Sequence, residues 1–147
     1  MLQQRWRRLL PALWAGWMLC VALLATPAPF ATLAVQEAGR VVGRMLAQEA
    51  YTALLLGIVM LLFERTAAKR GAGPQFSLDM GLALGTIFCT VAGYFALQPM
   101  LAAARAGQGA LSFGQLHGIS VAFFGVKLLR VLALAWRASR LNPVTSS

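Results

Sequence analysis

An all-α integral membrane protein, a four-helix bundle with an amphipathic helical segment between its first and second spans, is the fold class this sequence predicts. Three observations carry that expectation. Apolar residues make up 59% of the 147 and charged residues only 12%, a balance far from that of a water-soluble domain. Uncharged or nearly uncharged runs fall at about 9–30, 45–63, 77–97 and 113–136, each near the roughly 20 residues that cross a bilayer as a helix. The cations mostly flank those runs instead of gathering on one face. The whole of 1–147 therefore reads as a single transmembrane domain, with lipid as its first partner.

The net charge of +9 does not point to nucleic acid, because such a binder collects its basic residues on one polar or aromatic face. Cys20 and Cys89 lie in apolar runs without CxxC spacing, which argues against a disulfide framework or a zinc site.

Taken in order, Arg5, Arg7 and Arg8 precede the first run, which Pro27 and Pro29 interrupt. A basic start and apolar core also describe a signal peptide, but this run is long for one and carries Trp14 and Trp17, so a retained helix is expected. Over 31–44 the pattern becomes amphipathic: Phe30, Ala34, Ala38, Val41, Val42 and Met45 recur at helical spacing, while Gln36, Arg40 and Arg44 mark another face. Such a segment either lies on the membrane surface or tilts into the bundle. The second span, from about Met45 to Phe63, has Glu49 near its start and is closed by Glu64 and Arg65. A basic loop over 65–75 follows, where Lys69 and Arg70 precede Gly71, Gly73 and Pro74 and the helix must stop.

In the third span, Gly81, Gly85, Cys89 and Gly93 repeat every four residues, giving a smooth face on which another helix can pack closely. In the fourth, Gly114 and Gly118 form a comparable face beside a polar stripe of His117, Ser120 and Lys127. Lys127 and Arg130 lie within the apolar run. They either reach the headgroups along their aliphatic stems or turn inward, one of them pairing with Asp79 at the entry of the third span. At the other end of the span, His117 is expected near Glu49 and Glu37, a grouping that suits a hydrogen-bonded tie or a proton relay. One histidine with two distant carboxylates is not a metal motif. No hydrolase elbow, phosphate loop or HExxH is present. An enzyme is not expected, nor is a cofactor.

Putting both termini and the 65–75 loop on one side gathers eight cations there (Arg5, Arg7, Arg8, Arg65, Lys69, Arg70, Arg137 and Arg140) against Arg40, Arg44 and Arg105 opposite. The positive-inside rule then puts both termini in the cytoplasm, with a bacterial inner membrane as the expected location.

The segments WAGWM at Trp14–Met18, PAPF at Pro27–Phe30, AGRVVG at Ala38–Gly43 and FGQLHGIS at Phe113–Ser120 resemble, in order and spacing, the transmembrane-protein-205-like four-span group. That resemblance implies four transmembrane helices and a membrane location, and brings no settled activity. By it, Gln98, His117 and Ser120 are family features, whereas Lys127 and Arg130 belong to no motif.

Two functions are expected above others. One is a small binding or transport-like module, a homo-oligomer by the argument that one such bundle encloses little space, with a polar interior of Glu37, Glu49, His117, Ser120 and Lys127 on the non-cytoplasmic side. The other is an accessory subunit that docks on a membrane complex through its Gly81, Gly85, Cys89 and Gly93 face. A metal or haem redox protein is the least supported.

Overall fold

In the computed structural model, which describes residues 2–71 and 73–140, four helices each long and apolar enough to cross a membrane run up and down: α1 (Leu2–Thr32), α2 (Val35–Lys69), α3 (Leu78–Arg105) and α4 (Phe113–Ser139). The described residues contain no strand. The α1–α4, α4–α3 and α3–α2 contacts are extensive and α1 also touches α2, whereas α2 and α4 have no extensive contact. Trp14, Met18, Ala53, Met60, Ala83, Val131 and Leu134 form the main core, and a smaller cluster of Leu97, Leu101 and Leu116 lies nearer the other end.

The helix ends follow local chemistry. Leu33 and Ala34 take extended backbone (ψ 158° and 145°) and separate α1 from α2. Gly71 adopts φ +70° after the Arg70 cap, the left-handed conformation that glycine reaches without strain. The hydroxyl of Ser77 accepts a hydrogen bond from the Met80 amide at 3.1 Å, capping α3. Ser112 and Gln115 form a reciprocal capping box at the start of α4.

The helix boundaries differ from the sequence reading in several places, and the third helix runs through Pro99 to Arg105 instead of ending near 97. The amphipathic stretch over 31–44 is helical from Val35 onward and continuous with the second span, in one helix of 35 residues. At the helical rise that is about 52 Å, against roughly 30 Å of hydrocarbon, so α2 projects well beyond the membrane core. Nothing between Val35 and Arg44 breaks the helix, since the prolines that interrupt the pattern lie upstream. The basic loop is likewise shorter than 65–75, because α2 runs to Lys69; Ala72 within it lies outside the described residues.

Two π-helical stretches, Val21–Ala25 in α1 and Val91–Ala96 in α3, widen the turns just before the prolines at 27, 29 and 99. Such widening loosens backbone pairing, and in a membrane a hydroxyl commonly compensates. Thr26 donates to the Val21 carbonyl at 2.7 Å and Ser120 donates from α4 to the Gly93 carbonyl at 2.9 Å.

Candidate functional site: an ion pair inside the bundle

The charged side chains sort into two layers. At the end of the bundle where Leu2 and Arg140 lie, Arg7 of α1 donates through Nε and Nη2 to the two oxygens of Glu64 at 2.9 and 2.8 Å. The Ser77 hydroxyl donates to the same carboxylate at 3.4 Å, and Arg137 of α4 donates to Asp79 of α3 at 2.5 Å. Gln3 joins this layer through the Phe63 carbonyl and Arg70. Arg7, Glu64 and Asp79 surround a cavity of about 10 Å³, space for a single water. All four helices are thereby tied at one end.

The second layer is deeper. Lys127 donates to Glu49 Oε2 at 2.6 Å, with both side chains only 3–4% exposed. Its ammonium also lies 4.9 Å from the centre of the Phe124 ring. Because α2 and α4 do not pack extensively, the Lys127 side chain reaches across the bundle. Lys127 is ten residues, about 15 Å, from Arg137, and Glu49 is fifteen residues, about 22 Å, from Glu64. The pair therefore lies about 15 to 22 Å along the helices from the basic end, a depth that falls inside the roughly 30 Å hydrocarbon core of a bilayer spanned by these helices. Taking two charges out of water there is costly unless they satisfy one another. Glu49 Oε1 is buried without a hydrogen-bond partner among the described residues. The buried hydroxyls of Thr86 and Thr90 on α3 are turned back onto their own helix, donating to the Leu82 and Thr86 carbonyls.

One turn beyond Lys127, the Arg130 guanidinium rests against Gly85 so closely that a Cβ at that position would overlap it. Gly93 is similarly filled by Phe123 of α4. The α3 glycine stripe thus receives α4 of the same chain, in a register that runs from Asp79–Arg137 through Gly85–Arg130 to Gly93–Phe123. Among the other helix-packing candidates, Gly81, Gly114 and Gly118 have nothing within 4 Å of an added Cβ.

Several expected groupings are replaced by others. The expected partner for Lys127 or Arg130, Asp79, is instead engaged by Arg137, which is level with it at the helix ends while Lys127 is too deep. Glu49 pairs with Lys127 and not with His117, because continuing α2 upstream to Val35 moves Glu49 away from the helix start and into the bundle. His117 is exposed and stacked on Phe113, with ring centres 5.9 Å apart, and the Arg105 guanidinium lies over the same Phe113 ring, 4.8 Å from its centre. Glu37 is exposed on the projecting part of α2, and Ser120 serves the Gly93 carbonyl. No group of three or more metal-ligating side chains occurs among the described residues. Sequence reasoning left Arg7 and Glu64 out of the site. Their signal was an acid closing one apolar run and an arginine opening another, both at the same end of an up-and-down bundle.

This architecture defines a multi-pass membrane protein, four apolar helices closed at one end by ion pairs and crossed internally by one more. The chain belongs to the family of the domain of unknown function DUF4149, whose model matches residues 9–110. The matched stretch holds Arg7's partner Glu64, Glu49, Asp79 and the glycine stripe, and ends before α4, so Lys127, Arg130 and the FGQLHGIS segment lie beyond it. No curated protein and no solved structure matches the chain.

Proposed function

We propose that this protein is a small membrane-embedded binding or transport-like module whose working element is the intramembrane Glu49–Lys127 pair together with Arg130. One observation carries the reading: a buried 2.6 Å ion pair placed between two helices that otherwise do not pack, with one carboxylate oxygen left unpartnered. A brace alone would be served as well or better by apolar side chains of the same size. Ionisable groups held at membrane depth ordinarily mark a pathway for protons, ions or charged ligands. The working element therefore sits deeper than the polar region around His117. The protein is oriented with Leu2 and Arg140 toward the cytoplasm of a bacterial inner membrane, an orientation supported by the eight cations at that end. A likeness to the transmembrane-protein-205-like group fits the four-span plan.

The test separates brace from working element. A Glu49→Gln/Lys127→Met double variant should fold and insert with near-native stability yet fail to restore the phenotype of a host lacking its own copy. A stable double variant that restores the phenotype fully sinks the proposal.

A second reading, an accessory subunit, loses its original face, because Gly85 and Gly93 are occupied within the chain. It keeps a different one: α4 is the least covered of the four spans, and Gly114, Gly118 and Gly125 are open. Gly118→Leu should then abolish co-purification of a membrane partner, and retained association would reject this reading.

A further inference from the structure

We infer that Arg130, in its Gly85 seat, is a binding site for a singly charged oxyanion, a carboxylate or a phosphodiester. The inference rests on the reading of Glu49, Lys127 and Arg130 as the working element, and names the class of ligand it takes.

Charge balance is the first argument. The chain has four acidic residues. Glu64, Asp79 and Glu49 are bound to Arg7, Arg137 and Lys127, and Glu37 is exposed at the far end of α2. Arg130 has no carboxylate, hydrogen-bond or ring partner among the described residues, and its Nε is buried without an acceptor. Lys127 and Arg130 together outweigh Glu49 by one positive charge. A guanidinium keeps its charge in proteins. An anion would supply both the acceptor that Nε lacks and the counter-charge, whereas a water would supply only the acceptor.

Geometry is the second argument. Arg130 lies seven residues, about 10 Å, from Arg137, and its head is turned sideways onto α3 instead of along α4 to the headgroups. Gly85 makes that placement possible, and at Gly81, one turn nearer the basic end, an added Cβ would meet nothing within 4 Å. A guanidinium fixed by packing presents Nε and one Nη as two parallel donors, the arrangement that fits two oxygens of a carboxylate or phosphate. Arg130 is only partly buried, which leaves part of its guanidinium within reach of a ligand, and a small shift of the side chain on its flexible stem brings the buried Nε to the same ligand.

The two sources, soluble and lipid, separate in one experiment. Intact protein is purified in dodecyl maltoside, which carries neither charge nor phosphate, and its thermal unfolding is followed at constant ionic strength set with sodium chloride. Sodium acetate is the soluble probe and phosphatidylglycerol added to the micelles is the lipid probe. At least one should raise the unfolding temperature in a saturable way; a response to acetate alone assigns a soluble carboxylate, and to phosphatidylglycerol alone a lipid phosphodiester. Arg130→Met should weaken the effective probe by about 10- to 100-fold, the worth of a charge-assisted pair. Arg130→Lys, which keeps the charge and removes the fork, should weaken it less. Gly85→Ala, which displaces the guanidinium without removing it, keeps the test available if the Met variant does not fold, and should also weaken the probe. Absence of any saturable shift, or equal shifts in the parent and these variants, overturns the inference. The Glu49→Gln/Lys127→Met variant distinguishes the two proposals: saturable binding retained there, with the phenotype unaffected, leaves the anion site standing while the working-element reading fails.

Discussion

The basic end of the bundle and its interior use the same chemistry, a cation bonded to a carboxylate, for opposite purposes. At the basic end, Arg7–Glu64 and Arg137–Asp79 lie where helices stop and where water reaches Arg137, which is 44% exposed. Each pair joins helices that already pack, so the charges fix which turn faces which. In the interior, Glu49–Lys127 joins helices that lack extensive packing, and both partners are almost fully buried. For Arg137–Asp79, fixing register near water costs little and contributes little; Arg7–Glu64 is more enclosed, at 18% and 6% exposed, and the inner pair, sealed on both sides, is held by mutual dependence. The lesson is that depth and what the helices already share, more than bond length, decide what an ion pair does.

Removing one partner of the inner pair should have the largest effect. Lys127→Met leaves Glu49 buried without its cation and should cost about 3 kcal/mol, read as a lowered unfolding temperature in detergent; a loss no greater than that of Arg137→Gln would erase the distinction between the two layers. Gly93→Leu comes next, since its side chain must displace Phe123, and overpacking of this kind costs about 1–3 kcal/mol; circular dichroism melts should show it while Gly114→Leu leaves stability unchanged. At the basic end, Asp79→Asn should cost under about 1 kcal/mol, and the difference should shrink further when salt is raised. The smallest effect belongs to His117→Ala. That side chain is exposed and stacks only on Phe113, so its unfolding temperature should match the parent's, and a marked loss would mean that His117 has a buried role.

Much of this arrangement was legible in the sequence, and the part that was not has a physical cause. Apolar runs bounded by cations reveal spans because the cost of burying charge applies to each run separately, and Gly71 and Ser77 mark helix ends through purely local backbone needs. The same holds for the α3 stripe, where small residues every four positions announce a close approach. Which helix arrives there is a tertiary fact: Gly85 and Gly93 receive Arg130 and Phe123 of the same chain, not an outside partner. The Glu49–Lys127 pair was hidden for two reasons. Its partners sit on helices that do not share an extensive surface, and Glu49 looked like the entry of a span because the second apolar run starts only at about Met45. Once α2 is continuous, Glu49 moves from the membrane boundary to its interior, and His117 loses its expected acid.

A double-mutant cycle on Glu49 and Lys127, with thermal or denaturant unfolding measured for the parent, Glu49→Gln, Lys127→Met and the double variant in one detergent, tests this account most directly. Each single variant should be strongly destabilised and the double variant should recover most of the loss, giving a coupling above about 1 kcal/mol. Losses that add to within about 0.5 kcal/mol would show that the two side chains do not depend on each other, and would contradict the ion pair inside the bundle.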